Sequence, residues 1–283
     1  MAPGDEEEAA RLWAATWSDM ELSLGQVPAP TTEEDHQRQV SRFAYMRAAS
    51  PEGCFVAEDA GGLVGLAISM LQGPNFYLSY LGVGTSAQGQ GLGRRLLEAA
   101  RGFGAAATGG FIAAGPDPRS MSLYLKAGFR LSPAMQAFGV APGRAARPAW
   151  LRVGEGDGPH LDLVDALDER VRGTARREDV EFMVSAGARV VSDEEGRAYA
   201  LVGPTGDVHA LGALDEAAAH QLLTALLAGS MGEMVKARWF SCHSPWAFRA
   251  AADAGARLVP HGALMTLGSM QLPASYLPNG AFG

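Results

Sequence analysis

The chain has 283 residues, of which 47% are hydrophobic and 19% charged, and its formal net charge is −8 at pH 7. This length suggests two domains, and the apolar fraction is enough for two ordinary cores. The acidic balance of both halves argues against a nucleic-acid-binding protein. No apolar run has the length of a membrane span, and the acidic first residues differ from a basic signal peptide, so we expect a cytoplasmic protein that binds no membrane.

Cysteines and histidines give no sign of a metal centre. Cys54 and Cys242 lie in apolar runs typical of strands, and we expect both to be buried free thiols rather than a disulfide. The six histidines have neither the HExxH spacing nor a paired-cysteine motif beside them. The sequence therefore predicts no metal.

The pattern up to residue 71 predicts two helices and a hairpin. Apolar residues recur at helical spacing over 6–24, and Thr31 or Thr32 can cap a second helix that runs to about Ala49. Two apolar runs, 54–58 and 63–71, then flank an Asp-Ala-Gly-Gly turn.

A strand, a glycine-rich turn and a helix follow in immediate succession. The run 77–83 is aromatic and β-branched, and leucines recur at helical spacing from Leu92 onward. We expect Gly89, Gly91 and Gly93 to lie on the first turn of this helix. Glycine is unfavourable inside a helix, so three of them there indicate a ligand that approaches bare backbone N–H groups. Those donors and the helix dipole favour an anion such as a pyrophosphate.

Three known glycine-loop motifs can be compared with this stretch. A P-loop is excluded, because Gly93 is followed by Arg94 and Arg95 instead of Lys-Ser/Thr. A loose dinucleotide fingerprint fits 82–87, but no acidic residue follows at the required distance. The pattern Gln88-x-x-Gly91-x-Gly93 after a strand resembles the acyl-CoA-binding motif of the GNAT superfamily of N-acyltransferases. A glycine-rich surface loop is the remaining alternative.

A second stretch, 117–129, resembles the other signature of that superfamily. Asp117 stands where the family pattern has Asn, Ser120 is the small residue three positions later, and Tyr124 precedes a Gly-Phe pair by four. Together the two motifs cover about residues 56–140.

The resemblance implies specific positions for acyl-CoA. The backbone N–H of Leu81 would face the thioester oxygen, Val83 would pair with the pantetheine arm, and Tyr124 would protonate the departing sulfur, unless it is only a core aromatic residue. The implied cofactor-binding residues are Leu81, Val83, Gln88, Gly89, Gln90, Gly91, Leu92, Gly93, Arg94, Asp117, Ser120 and Tyr124.

Tyr77 and three arginines near these motifs allow more than one interpretation. Tyr77 occupies the place where many family members carry a catalytic Glu, so a water chain or a partly neutral amine would replace the base and Tyr77 would line the acceptor pocket. Arg94, Arg95 and Arg101 could meet CoA phosphates, although a solvated helix face explains Arg101 equally well.

The first half of the chain ends with a predicted strand at 111–114, a helix around Tyr124 and a strand at 135–140. A Pro/Gly-rich linker follows at 141–148, and the part after it repeats the first half. Beyond it, Leu222-Leu223 corresponds to Leu96-Leu97 and Gly255 to Gly128. The copy has Leu-Asp-Glu-Ala-Ala-Ala at 214–219 instead of the glycine loop, and Ala251 instead of Tyr124. The predicted elements of this half are strands at 150–153, 189–191, 198–202, 208–214 and 235–242 and helices at 161–171, 177–185 and 216–227.

The sequence thus predicts an α+β protein of two GNAT-like domains, each a mixed, mostly antiparallel twisted sheet flanked by helices. The expected limits are 1–143 for the domain with the acyl-CoA site, 144–270 for a degenerate copy and 271–283 for a C-terminal tail. The expected activity is acetyl transfer from acetyl-CoA to the amine of a small molecule, by direct attack in a ternary complex, in a monomer or homodimer. A non-catalytic acyl-CoA-binding or regulatory protein, and more remotely a dinucleotide-dependent enzyme, are the alternatives.

Overall fold

The computed structural model of the chain describes residues 1–231 and 233–283. The chain folds into two compact units. The first unit contains Met1–Ile112, Asp117–Phe129 and Leu267–Met270, and the second contains Ala113–Pro116, Arg130–Thr266 and Gln271–Gly283.

The first unit combines a four-stranded arrangement with four helices. Strands β1, β2 and β3 pair in antiparallel order, and β3 pairs with β4 in parallel. The elements are α1 (Glu6–Ser23), α2 (Glu33–Ala49), β1 (Cys54–Asp59), β2 (Gly62–Gln72), β3 (Asn75–Val83), α3 (Leu92–Phe103), β4 (Gly109–Ala114) and α4 (Pro118–Lys126).

Local chemistry explains where these helices begin and end. The Thr32 Oγ1 accepts a hydrogen bond from Asp35 N at 3.1 Å, and Asp35 Oδ2 accepts from Thr32 N at 3.2 Å, which completes a capping box at the start of α2. The prediction of a threonine cap here is confirmed. Helix α4 ends before Gly128, whose φ of 91° is left-handed and therefore suits glycine.

The second unit is built on a larger mixed sheet. Its strand order is β11-β5-β10-β9-β8-β7-β6, with β12 on β9. The elements are β5 (Arg130–Phe138), β6 (Leu151–Gly154), α5 (Gly158–Arg172), α6 (Arg177–Ser185), β7 (Arg189–Asp193), β8 (Ala198–Val202), β9 (Asp207–Ala213), α7 (Glu216–Leu227), β10 (Lys236–Phe240), α8 (Pro245–Asp253), β11 (Arg257–Gly268) and β12 (Tyr276–Leu277).

Strand β5 lies in the second unit although the expected domain limit was residue 143. It pairs in antiparallel fashion with both β10 and β11, and Ala137 of β5 is fully buried in the core of that unit. Composition marks the linker after β5, but it carries no signal for which sheet a strand joins. The expected limits therefore do not coincide with the compact units.

The last residues of the chain pack into the second unit. Strand β12 pairs with β9, so that Tyr276 lies opposite Gly212 and Leu277 opposite Leu211. Tyr276, Leu277 and Phe282 are buried. The segment expected as a tail is thus part of the fold, and β12, like α8 and β11, was not foreseen from the sequence.

The two cysteines differ in their surroundings. Cys54 is buried at the start of β1, as expected. The expectation of burial is wrong for Cys242, which is exposed in the loop after β10. In the part of the chain that the structure describes, no helix is both long and apolar enough to cross a membrane.

Candidate functional site

Strand β3 contains a β-bulge at Ser79. Leu78 pairs with Ser69 and Tyr80 with Ile68, so Ser79 has no residue opposite it. A bulge adds one residue to a strand and reverses the alternation of side chains beyond it.

The packing of β3 against the helices shows this reversal. Phe76 lies against Gly104 at the end of α3, whereas Gly82 faces Trp13 and Thr16 of α1 at 3.5 Å from where its Cβ would be. Tyr80 also faces the α1 and α2 side, because its ring lies 4.8 Å from that of Trp13. Alternation before the bulge places Tyr77 on the same face as Tyr80, and alternation after it places Leu81 and Val83 on the α3 face.

The edge of β3 opens beyond Tyr77. The pairing between β3 and β4 covers only Asn75–Gly109, Phe76–Gly110 and Tyr77–Phe111. Among the described residues the only neighbours of β3 in the sheet are β2 and β4. On the β4 side, the backbone groups around Leu81 and Val83 are thus left without a paired strand.

The glycine loop joins this open strand to α3. Gly89 and Gly91 have left-handed φ values of 78° and 77°, and nothing lies within 4 Å of an added Cβ at either position. The expectation that all three glycines lie on the first helical turn is wrong for these two, since α3 begins at Leu92. They are needed for the backbone conformation of the loop, and only Gly93 lies within the helix, where an added Cβ would be 3.7 Å from Val83 and Leu123.

The start of α3 has the properties of an anion site. Its N-cap is Gly91, which has no side chain to bond the first N–H groups of the helix. These donors and the helix dipole favour a negative group there. The adjacent Arg94 side chain is 72% exposed and lies 3.8 Å from Glu98, an ion pair too open to fix it.

Arg101 is exposed, as expected for a residue on a solvated helix face. Its Nη1 donates to Ala127 O at 3.1 Å, so it bonds the C-terminal end of α4. Arg95 remains exposed beside the loop.

A chain of hydrogen bonds connects the glycine loop with α4. Gln88 Nε2 donates to Val83 O at 2.9 Å, and Arg119 Nη1 donates to Gln88 Oε1. Arg119 Nε in turn donates to Asp117 Oδ1 at 3.1 Å. The structure therefore brings together Val83, Gln88 and Asp117, and it adds Arg119, which the sequence motif did not single out.

Asp117 is the N-cap of α4, and its Oδ1 accepts from Arg119 N at 2.9 Å. Ser120 Oγ donates to Asp117 O at 3.0 Å. Both residues thus stabilise the start of the helix that carries Tyr124. Gln90 bonds only its own loop, through Ser86 O at 3.3 Å.

Tyr124 is buried on α4 and its ring lies 6.2 Å from that of Phe129. Burial, and secondly the negative charge of Asp117, raise the pKa of the Tyr124 hydroxyl well above its ordinary value. The phenol is therefore protonated at every pH at which the protein would work, as a proton donor must be.

Tyr77 is buried with its ring 5.7 Å from Phe111. Alternation along β3 places it on the α1 and α2 face, which Tyr80 and Trp13 also line and which is opposite to α3. We call the aromatic residues of this face, Trp13, Tyr77 and Tyr80, the aromatic wall. In the described part of the chain, no group of three or more His, Cys, Asp or Glu side chains is arranged to hold a metal ion.

These features define a class of protein: an open strand leads through a glycine loop to a glycine-capped helix, beside a helix with a buried tyrosine. Residues 12–129 match the model of the acetyltransferase (GNAT) family. This stretch is therefore similar to the GNAT acetyltransferase family, and the match ends at Phe129, the last residue of the segment around α4 that belongs to the first unit.

Solved structures show the same fold over nearly the whole chain. A candidate acetyltransferase from Pyrococcus horikoshii is 20% identical with a TM-score of 0.77, over 100% of this chain and 94% of its own. A GCN5-related N-acetyltransferase from Sphaerobacter thermophilus is 14% identical with a TM-score of 0.62, over 94% and 93%. A tandem GNAT protein from the clavulanic acid biosynthesis pathway is 16% identical with a TM-score of 0.57, over 96% and 98%. A comparison with curated proteins gave no match.

Proposed function

We propose that the first unit binds acetyl-CoA and transfers its acetyl group to the amine of a small molecule. The observation that carries this proposal is the open edge of β3, which runs directly into a helix start without a capping side chain. An extended pantetheine arm can add to such an edge as a strand would, and a pyrophosphate matches the free N–H groups that follow.

In this proposal each part of acetyl-CoA has a place. The arm pairs with the backbone of Val83, and the N–H of Leu81 polarises the thioester oxygen. The backbone from Gln88 to Arg94 holds the pyrophosphate, while the bonds of Gln88 to Val83 and Arg119 keep the loop against α4. The aromatic wall with Tyr77 lines the acceptor side.

The reaction is a direct attack in a ternary complex. The amine nitrogen forms a bond to the thioester carbon, and the negative charge that develops on oxygen is stabilised by the Leu81 N–H. When the carbon–sulfur bond breaks, the thiolate takes the proton of the Tyr124 hydroxyl. The amine attacks in its neutral form, after its ammonium proton has passed to solvent directly or through a water chain. After the attack the nitrogen loses one further proton, which returns through water to Tyr124. The products are an N-acetyl amide and CoA.

We further propose that the second unit is a GNAT-like copy without an acyl-CoA site. Helices α3 and α7 both have 12 residues, and α4 and α8 both have 9. Asp215 caps α7 where Gly91 caps α3, and its carboxylate would repel a phosphate. The second unit would then serve stability or acceptor specificity, in a cytoplasmic monomer or homodimer.

The rival function is a non-catalytic acyl-CoA-binding protein, favoured by Tyr77 at the place of the usual Glu. Incubation with acetyl-CoA and a panel of amines distinguishes the two by release of free thiol. We expect thiol release that depends on the amine. Tight binding of acetyl-CoA without thiol release from any amine would support the rival, and absence of binding would contradict both.

A further inference from the structure

Helix α2 carries two polar side chains on its core-facing stripe. Phe43 and Met46 are fully buried on this stripe, and Gln39 and Arg42 share it at spacings of three and four residues. An amphipathic helix normally presents apolar residues at such positions. Gln39 and Arg42 therefore need hydrogen-bond partners, which apolar core residues cannot provide.

Neither side chain has its hydrogen bonds satisfied in the part of the chain that the structure describes. The Arg42 Nε and Gln39 Nε2 atoms are buried and have no hydrogen-bond partner. Arg42 Nη1 donates to the Tyr80 hydroxyl at 3.1 Å. An unsatisfied buried donor destabilises the fold, so such groups persist where something else binds them.

The other arginines of α2 are paired with carboxylates. Arg38 lies 2.5 Å from both Glu34 and Asp35, and Arg47 lies 2.5 Å from Glu6. Arg42 forms no ion pair with a carboxylate among the described residues. Interaction with the neighbouring Tyr80 hydroxyl raises the pKa of the Arg42 guanidinium above its ordinary value, although burial of Arg42 acts in the opposite direction. The charge is therefore permanent.

This charge lies on the α1 and α2 face of the strand on which the reaction is proposed to occur. Tyr80, which accepts from Arg42, directly precedes Leu81, whose N–H faces the thioester oxygen in the proposed function. The ring of Tyr80 lies 4.8 Å from Trp13 and 4.9 Å from Phe43, in edge-on geometry. The wall around Arg42 is thus aromatic and carries one unmatched positive charge.

We propose that Arg42, assisted by Gln39, binds a carboxylate on the acceptor, so that the preferred substrate is an amino-acid-like amine. Only the assignment of the substrate class rests on the proposed function; the carboxylate site itself does not. A guanidinium binds a carboxylate through two parallel hydrogen bonds, and the Gln39 amide adds a further donor.

Direct binding tests the carboxylate site without turnover. The probes are N-acetyl-L-phenylalanine and its amide, which differ only in charge, titrated into the full chain by calorimetry. We expect the acid to bind at least ~10-fold more tightly than the amide, and Arg42→Met to remove that difference. Equal binding of the two probes to the unchanged protein would overturn the proposal.

Kinetics with L-phenylalanine and phenethylamine tests the substrate class. We expect Arg42→Met to raise KM for L-phenylalanine by ~10-fold or more and to leave phenethylamine nearly unchanged. Arg38→Met is the matched control, because it removes an arginine of the same helix that is already paired. If both amines lose activity equally, Arg42 has only a structural function and the proposal fails.

Two outcomes separate this inference from the proposed function. Preferential binding of the acid without thiol release from any amine would support the carboxylate site and contradict acetyl transfer. Thiol release from phenethylamine that exceeds release from L-phenylalanine would support acetyl transfer and contradict the carboxylate site. Should Arg42→Met fold poorly, Gln39→Leu and Arg42→Lys provide the same comparison, with a smaller loss expected for each.

Discussion

The starts of α3 and α7 differ in whether a side chain caps the first N–H groups of the helix. Gly91 precedes α3 with a left-handed backbone and leaves the first N–H groups of the helix free of a capping side chain. Asp215 precedes α7, and its carboxylate accepts a hydrogen bond from Ala218 N at 2.9 Å while it pairs with Arg197. The same helix end is therefore available to an outside anion in the first unit and already neutralised by the chain in the second.

The strands that lead to these helices differ in the same way. Strand β3 pairs with β4 over three residues, and β9 pairs with β10 at only Asp207 and Val208, so both strands diverge from their parallel neighbour. In the second unit β12 pairs with the far end of β9, and Ala213 N donates to Ser275 O at 3.1 Å. An exposed strand edge is a liability that proteins usually cover. The second unit covers its edge with the end of the chain, and the first leaves an edge that a ligand can use.

The largest expected effect comes from the glycine loop. Gly91→Glu should abolish acetyl-CoA binding, because a carboxylate would project where the pyrophosphate is proposed to lie. Gly173→Glu is the matched control, since Gly173 has a φ of 78° and nothing within 4 Å of an added Cβ, but lies in the second unit. Calorimetry should give one site per chain in the unchanged protein and in Gly173→Glu. Two sites would show that α7 also binds the cofactor.

The next effect concerns the proton donor. Tyr124→Phe should lower kcat by roughly 10²- to 10⁴-fold with little change in CoA affinity, because it removes the hydroxyl and keeps the ring against Phe129. Ala251, which the sequence repeat predicts to correspond to Tyr124 in the second unit, is buried. Steady-state kinetics with acetyl-CoA measure the change, and an unchanged kcat would reduce Tyr124 to a packing residue.

Cys54 lies in the first unit and Cys242 in the second, so the alkylation rate of each thiol probes one unit. Burial raises the pKa of the Cys54 thiol to about 11, whereas Cys242 is exposed. The thiolate fraction of Cys54 at pH 8 is therefore roughly 10²-fold below that of an ordinary thiol, and Cys242 should react with iodoacetamide first. Mass spectrometry of the alkylated peptides gives both rates, and reaction of Cys54 at the rate of Cys242 would contradict the burial of Cys54.

A smaller effect is expected for the bond between the loop and β3. Gln88→Ala removes both the bond to Val83 O and the acceptor for Arg119, so KM for acetyl-CoA should rise by roughly 3- to 10-fold, as for the loss of one or two hydrogen bonds. Gln90→Ala is the control, because Gln90 bonds only Ser86 within the loop. Equal effects of the two substitutions would show that Gln88 has no special function in positioning the cofactor.

Local patterns predicted most of the helices and strands because the chemistry that sets them is local. The Thr32 cap, the loop after Val83 and the Gly128 turn are all determined by residues that are neighbours in the sequence. Contacts between side chains that are distant in the sequence are not determined in this way. Nothing in the sequence marks Arg119 as the partner of Gln88, or Arg42 as an arginine without a carboxylate, because both properties depend on how separate elements meet. The covering of β9 by β12 escaped prediction for the same reason, since a two-residue strand has no periodicity.

The bulge at Ser79 makes the function of β3 depend on residue count as well as residue type. Before Ser79 the odd-numbered side chains face α1 and α2, and after it the even-numbered ones do. Regular alternation of the same residues without the bulge would turn Tyr80 toward α3 and move the Leu81 side chain to the opposite face. Deletion of Ser79 would instead remove the bulge and keep both side chains on their present faces. A substitution at Ser79 preserves the count and therefore the orientation. In an alignment of related sequences, a one-residue gap at Ser79 would thus be compatible with the same acceptor side, whereas a gap at Leu81 would move the side chains that follow to the opposite faces.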